Sequence, residues 1–189
     1  MPKKTNLVTF NSWELIAYWC YRVKIVFTSA GSPKKFTPLL KKHGVKVVHV
    51  TSNLLFAKKS EEAGVDAVVS EGFEAGGHNG KQEITTICLI PNISENISIP
   101  LIAAGGIGSG KAMLAAFSLG ADGVQMGSRF IASIESSAHI NFKNEVLKAK
   151  EGDTMLSLKE LTAVRLLKNS FYNQVVEAEN RGDSIEDLK

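Results

Sequence analysis

Apolar, β-branched runs at residues 23–28, 44–50, 64–69, 99–104 and 120–126 alternate with segments whose apolar side chains recur every three or four positions. Runs that are apolar at nearly every position suit strands buried on both faces, as in a parallel sheet packed under helices. Three of the runs start directly at a glycine, Gly44, Gly64 or Gly120. A residue free to adopt positive φ there closes the last turn of a preceding helix. The pattern predicts five parallel strands.

The intervening segments carry helix signals. Pro33 after Ser32 opens a helix to about residue 43, and Asn53 caps a second to about 63. Ser109 caps a third, with Met113, Leu114, Phe117 and Leu119 as its buried stripe. Residues 84–96 read as a fourth, although Thr85, Thr86 and Ile87 are β-branched and Pro91 interrupts. Strand, loop and helix in repetition mean right-handed βαβ units and an α/β fold. Beyond Phe130 the chain becomes Lys- and Glu-rich with helical spacing at Leu156, Leu158, Leu161, Val164, Leu167 and Phe171. A helical extension at 136–189 with no further strand is predicted. Residues 1–22 form an atypical start, with Trp13, Tyr18, Trp19 and Tyr21 clustered and a weak helix over 12–21.

Composition narrows the class. A chain of 189 residues, 44% hydrophobic and 22% charged, has the makeup of a soluble globular domain and excludes a disordered tail or fibrous repeat. No run approaches the roughly 18 apolar residues of a membrane helix. The start, Met1-Pro2-Lys3-Lys4, lacks the apolar core of a secretory signal, so the cytoplasm is expected. The net charge of +3 comes from 22 basic and 19 acidic residues in mixed order, which leaves no nucleic-acid footprint. Cys20 and Cys88 lie far apart, and the four histidines lack ligand spacing; neither a disulfide framework nor a metal is expected.

In parallel α/β sheets ligands bind at the carboxyl ends of the strands. The loops there are rich in Gly and small polar residues: 29–32, 51–52, 71–80, 105–110 and 127–130. Gly105-Gly106 lets backbone amides approach an anion, the helix at Ser109 adds its positive end, and Gly127-Ser128 adds amides and a hydroxyl. These glycines read as a phosphate cradle, or simply as tight turns. In the third loop, Gly76-Gly77 precede His78. Imidazoles exchange protons near neutral pH, so His78 is either a proton-transfer group at the mouth of the site or a solvent-facing loop residue. Glu71 reads as a polar ligand contact and Glu74 as loop structure. His49 reads as a core residue, His43 as a helix end, and His139 as a cap or a group facing the site.

Three ordered motifs resemble a known family. They are Glu71-Gly72-Phe73-Glu74-Ala75-Gly76-Gly77-His78, Ile102-Ala103-Ala104-Gly105-Gly106-Ile107, and Gly123-Val124-Gln125-Met126-Gly127-Ser128-Arg129-Phe130. They look like the nitronate monooxygenases, formerly 2-nitropropane dioxygenases, and the related FMN-dependent enoyl-acyl-carrier-protein reductases of type II. The resemblance implies a TIM (β/α)8 barrel with FMN held non-covalently. Carried over by position, Gly105, Gly106, Gly127 and Ser128 would hold the phosphate, with Gln125 and Met126 beside it and Gly76 close to the cofactor. Glu71 stands where many members have Gln, and His78 takes the place of the family's active-site His. The implied reaction is oxidation of alkyl nitronates or nitroalkanes by O2 to carbonyl compounds and nitrite, with His78 as base for a neutral nitroalkane. Reduction of an enoyl thioester by NAD(P)H is the alternative, and a homo-oligomer is among the assemblies the resemblance allows.

Five strands of eight make residues 23–135 a partial FMN-binding barrel, roughly sixty residues short of a whole one. A truncated, inactive fragment is the third expectation.

Overall fold

The structure is a computed structural model that describes residues 23–184 and Glu186. The expected helix and aromatic cluster at 1–22 lie outside the described residues. The elements follow in chain order as β1 (Ile25–Thr28), α1 (Thr37–Lys42, preceded by a 3-10 turn at Pro33–Lys35), β2 (Lys46–Thr51), α2 (Leu54–Glu62) and β3 (Ala67–Glu71). Then come β4 (Gly77–His78), α3 (Thr86–Ser94), β5 (Leu101–Ala104), α4 (Gly110–Ser118), β6 (Gly123–Gln125) and α5 (Ser128–Ile131). The last are α6 (Ile140–Lys148), β7 (Thr154–Ser157), β8 (Val164–Leu167) and α7 (Ser170–Arg181).

The five predicted strands form one parallel sheet in the order β1-β2-β3-β5-β6. Side chains alternate across a strand, and the two faces are distinct. Val47, Val68, Leu101 and Ala103 face the helices, packing with Leu40, Ala57, Leu89, Ile90, Ile93 and Ala116. Val48, Ala67, Val69 and Ala104 cluster separately with Val50 and Ile102 on the concave face. By the same alternation Glu71 and Gln125 belong to the concave face. So do Ile25 and Phe27, which are more than half exposed.

Local chemistry places the helices. The Asn53 side chain accepts the Phe56 amide at the start of α2, and Ser109 accepts the Ala112 amide at the start of α4. Pro91 lies inside α3, where it costs the helix about 3 kcal/mol. Leu89, Ile90 and Ile93 of the same helix are wholly buried; at roughly 1.5–3 kcal/mol each, they offset it.

One register device occurs twice. The Asp66 amide donates to the Val47 carbonyl (2.7 Å) and its Oδ2 accepts the Val47 amide (2.9 Å). The Asp122 amide donates to the Leu101 carbonyl (2.8 Å) and its Oδ2 accepts the Leu101 amide (2.8 Å). Each Asp follows a helix-ending glycine by two residues, so the pattern Gly-x-Asp pins a strand to its neighbour at the end opposite the loops.

The chain after Phe130 corrects the expectation of a strand-free helical extension. Helices α6 and α7 are present, but β7 and β8 form an antiparallel pair that joins β4 in a second sheet, ordered β4-β8-β7. The apolar spacing of residues 156–171 fits a helix. Positive φ at Leu158, between β7 and β8, breaks it, and the partner strand is at residues 77–78, beyond reach of local periodicity.

Candidate active site

The loops that follow β2, β3, β5 and β6 open at one edge of the sheet. Register aligns Glu71 with Ala104 and Ala104 with Gln125. Glu71 and Gln125 therefore stand in one row on the concave face, two strands or roughly 10 Å apart. Glu71 is partly buried with no charged partner among the described residues, and burial pushes its carboxyl above the ordinary range.

The third loop is braced to the fourth. Gly72 donates its amide to the Ala104 carbonyl (2.9 Å) and Phe73 to the Ile84 carbonyl (2.9 Å). The Glu74 carboxylate accepts the Thr86 amide (2.9 Å, Oε2) and lies 3.0 Å from the Thr86 hydroxyl, which also reaches the Gly105 carbonyl at 2.9 Å. Glu74 is loop structure, as its position suggested. This crowding dictates glycine: a Cβ on Gly105, at φ +100°, would stand 2.8 Å from the Gly72 carbonyl oxygen and 2.9 Å from the Thr86 hydroxyl.

The cradle glycines therefore have different duties. Gly105 lets the two loops touch. Gly127 has open space around its Cβ position, and a Cβ on Gly76 would lie 3.9 Å from Ser128 Oγ, which brings the third and fifth loops together. Among the described residues no acceptor meets the amides of Gly106, Gly108 or Gly127. Ser128 opens α5 with its amide in the first turn and its side chain exposed. The unpaired amides, the Ser128 hydroxyl and the N-terminus of α4 lie on the adjacent loops after β5 and β6, and donors of these kinds suit a phosphate. Met126 packs against the helix-side core.

His78 is exposed on β4. Its backbone is held by β8, with Gly77 opposite Arg165 and His78 opposite Val164, and the Asn79 amide donates to the Ala163 carbonyl (2.8 Å). Arg165 donates from Nε (3.1 Å) and Nη2 (2.8 Å) to the Phe73 carbonyl and stacks 5.0 Å from the Phe73 ring centroid. Sequence reading missed Arg165 because nothing near it in the chain points to residue 73.

The other histidines are structural. His49 is buried, with Nδ1 2.7 Å from Thr28 Oγ1, and burial lowers its pKa. His43 closes α1, and His139 caps α6 by accepting the Asn141 amide at Nδ1. Among the described residues no cluster of His, Cys, Asp and Glu could hold a metal ion, and no helix is long and apolar enough to cross a membrane.

The family model for nitronate monooxygenase matches residues 7–185. The chain belongs to the nitronate monooxygenase family. A probable nitronate monooxygenase of Staphylococcus aureus strain Newman is 38% identical over 139 residues, covering 69% of this chain and 39% of that protein. FabK of Thermotoga maritima superposes with a TM-score of 0.84 at 40% identity, over 92% of this chain and 57% of that one. Nitroalkane oxidase of Streptomyces ansochromogenes gives a TM-score of 0.71 at 28% identity, over 81% and 47%. The chain thus spans about two fifths of the length of the curated relatives it matches. The parallel sheet and its helices are a partial TIM barrel, the α/β fold that the five strand runs predict.

Proposed function

We propose that the chain carries the FMN-phosphate cradle and the proton-transfer group of a flavin oxidoreductase that oxidises alkyl nitronates with O2 to carbonyl compounds and nitrite. The observation that carries this reading is that the loops bearing the unpaired Gly106, Gly108 and Gly127 amides follow β5 and β6, the next two strands of the sheet after β3, whose loop bears His78, the third and fifth loops meeting at Gly76 and Ser128. Gly105 and Gly106 shape the cradle, and Gly127 and Ser128 close it. Gln125 and Met126 lie beside it, Gly76 approaches the cofactor from the third loop, and Glu71 contacts it from the concave face. FMN, when bound, supplies two-electron redox chemistry.

His78 takes the α-proton of a neutral nitroalkane, leaving the nitronate anion and an imidazolium, and its exposed position lets it return that proton to solvent. A ready-made nitronate needs no such step. The resemblance of the three motifs to the enoyl-acyl-carrier-protein reductases of type II, beside the likeness to FabK, favours a second reading, reduction of an enoyl thioester by NAD(P)H.

Anaerobic mixing separates the two. The flavin-loaded protein should bleach with ethylnitronate alone and release nitrite on admission of O2. Rapid bleaching by NAD(P)H followed by crotonyl-thioester reduction would instead favour the second reading. A colourless protein that takes up no FMN would exclude both for this chain.

A further inference from the structure

We propose that Arg165 is a positioning residue for His78, holding both ends of the loop that presents the imidazole. The inference rests on the reading of His78 as the base. Its geometry is bipartite. The guanidinium chelates the Phe73 carbonyl with two donors, Nε at 3.1 Å and Nη2 at 2.8 Å, while Nη1 reaches Thr154 Oγ1 on β7 at 3.4 Å. The main chain of the same residue pairs with Gly77, next to His78, and Ala163, two residues earlier, receives the Asn79 amide at 2.8 Å. One β8 residue thus grips the loop at positions 73 and 77, and His78 follows directly.

The loop needs such a grip. Gly76 and Gly77 have no side chains to pack, and Gly77 sits at φ +84° with nothing within 4 Å of its Cβ position. Glycines leave a loop more conformational freedom than any other residues, so the imidazole's position must be imposed from outside. The planar guanidinium does this better than an ammonium could, because its Nε and Nη2 donors are fixed relative to each other and its face stacks on Phe73, 5.0 Å away. The hydrogen bonds bridge 92 residues of sequence, which makes the C-terminal hairpin part of the site.

The test uses the flavin-loaded chain with two substrates, neutral nitroethane, which needs the base, and ready-made ethylnitronate, which does not. R165M should lower kcat on nitroethane by about tenfold or more, since small misplacements of a reacting group carry large rate losses. Turnover of ethylnitronate and affinity for FMN should change by less than about twofold, because neither depends on proton abstraction. R165K should restore part of the nitroethane rate. In the flavin-free chain, hydrogen exchange at the Asn79 amide should quicken in R165M.

In an H78N background the R165M change should have no further effect on nitroethane, the non-additivity expected of residues acting as a unit. Equal losses on both substrates, an unchanged nitroethane rate, or a full R165M effect in the H78N background would each overturn the proposal. If R165M does not fold, F73L, which removes the stacked ring and leaves the carbonyl, is read by the same outcomes. An H78N protein with normal nitroethane turnover would overturn the His78 reading itself, and this proposal with it.

Discussion

Glu71 and His49 are two partly or wholly buried titratable groups with opposite pH consequences. Burial raises the Glu71 pKa, so the folded state opposes its ionisation. Stability from this group is lost as pH rises from the ordinary carboxylate range through the raised value. Glu71→Gln should therefore raise Tm at pH 7, with the gain vanishing near pH 4; thermal melts across that range check it. Burial lowers the His49 pKa, so the folded protein resists protonation there. Its contribution is present above about pH 6.5 and is lost as pH falls through that point towards the lowered value. Tm should drop between pH 7.5 and 5.5, and less steeply in His49→Gln.

For His78 the expected outcome is kinetic. His78→Asn should cut nitroethane turnover by about 10²–10⁴-fold, the usual worth of a general base, while ethylnitronate turnover stays near normal. Steady-state nitrite release on both substrates measures the split. At this scale the sequence discriminated by context: His49 sat in an apolar run and is buried, while His78 followed paired glycines and is exposed at the site edge. It also separated Glu74, read as loop structure, from Glu71, and the packed loops show how Glu74 is spent, on the Thr86 amide and hydroxyl.

Helices α2 and α4 were legible because their capping information is local, an Asn or Ser followed by an amide three residues on. The β7–β8 pair was not, since its partner strand β4 is 86 to 88 residues away by register, His78 opposite Val164 and Gly77 opposite Arg165. Glycine is where element-level structure sharpens the motif. Gly105→Ala puts a methyl group 2.8 Å from a backbone oxygen at positive φ, which should destabilise the flavin-free chain by about 2 kcal/mol or more. Gly127→Ala meets nothing within 4 Å; it should leave the flavin-free melt unchanged and weaken FMN binding. Paired melts and flavin titrations distinguish the two duties. The Gly-x-Asp pins offer a further check: Asp122→Ala orphans the Leu101 amide and should cost about 1–3 kcal/mol in denaturant unfolding.

For the whole molecule, a ligand that binds only the folded state must stabilise it. FMN at about 100 times its Kd should add about 2.7 kcal/mol, a Tm rise of roughly 5–10 °C for a chain of this size. Ser128→Ala should reduce that rise without changing the flavin-free Tm, since its side chain is exposed. The five-stranded parallel sheet was readable from five apolar runs because each strand pairs with a neighbour in the sheet through short βα connections. Ile25 and Phe27, more than half exposed on the concave face, obey the same alternation as the buried residues beside them.

The grip of Arg165 on Phe73 closes a loop of 92 residues, an ordering cost of about 4 kcal/mol in chain entropy. The sheet strands pair over much shorter spans, Ile25 with Lys46 for example. In folding, the sheet can therefore form while the hairpin is still free, and His78 is seated last. In the native state the order reverses: the β4-β8-β7 sheet should open at lower free energy than β2 and β3, as a separate cooperative unit. Native-state hydrogen exchange would show this as early exchange at Asn79 and late exchange at Val68 and Val69, so that the protein can release the His78 loop transiently while keeping its fold.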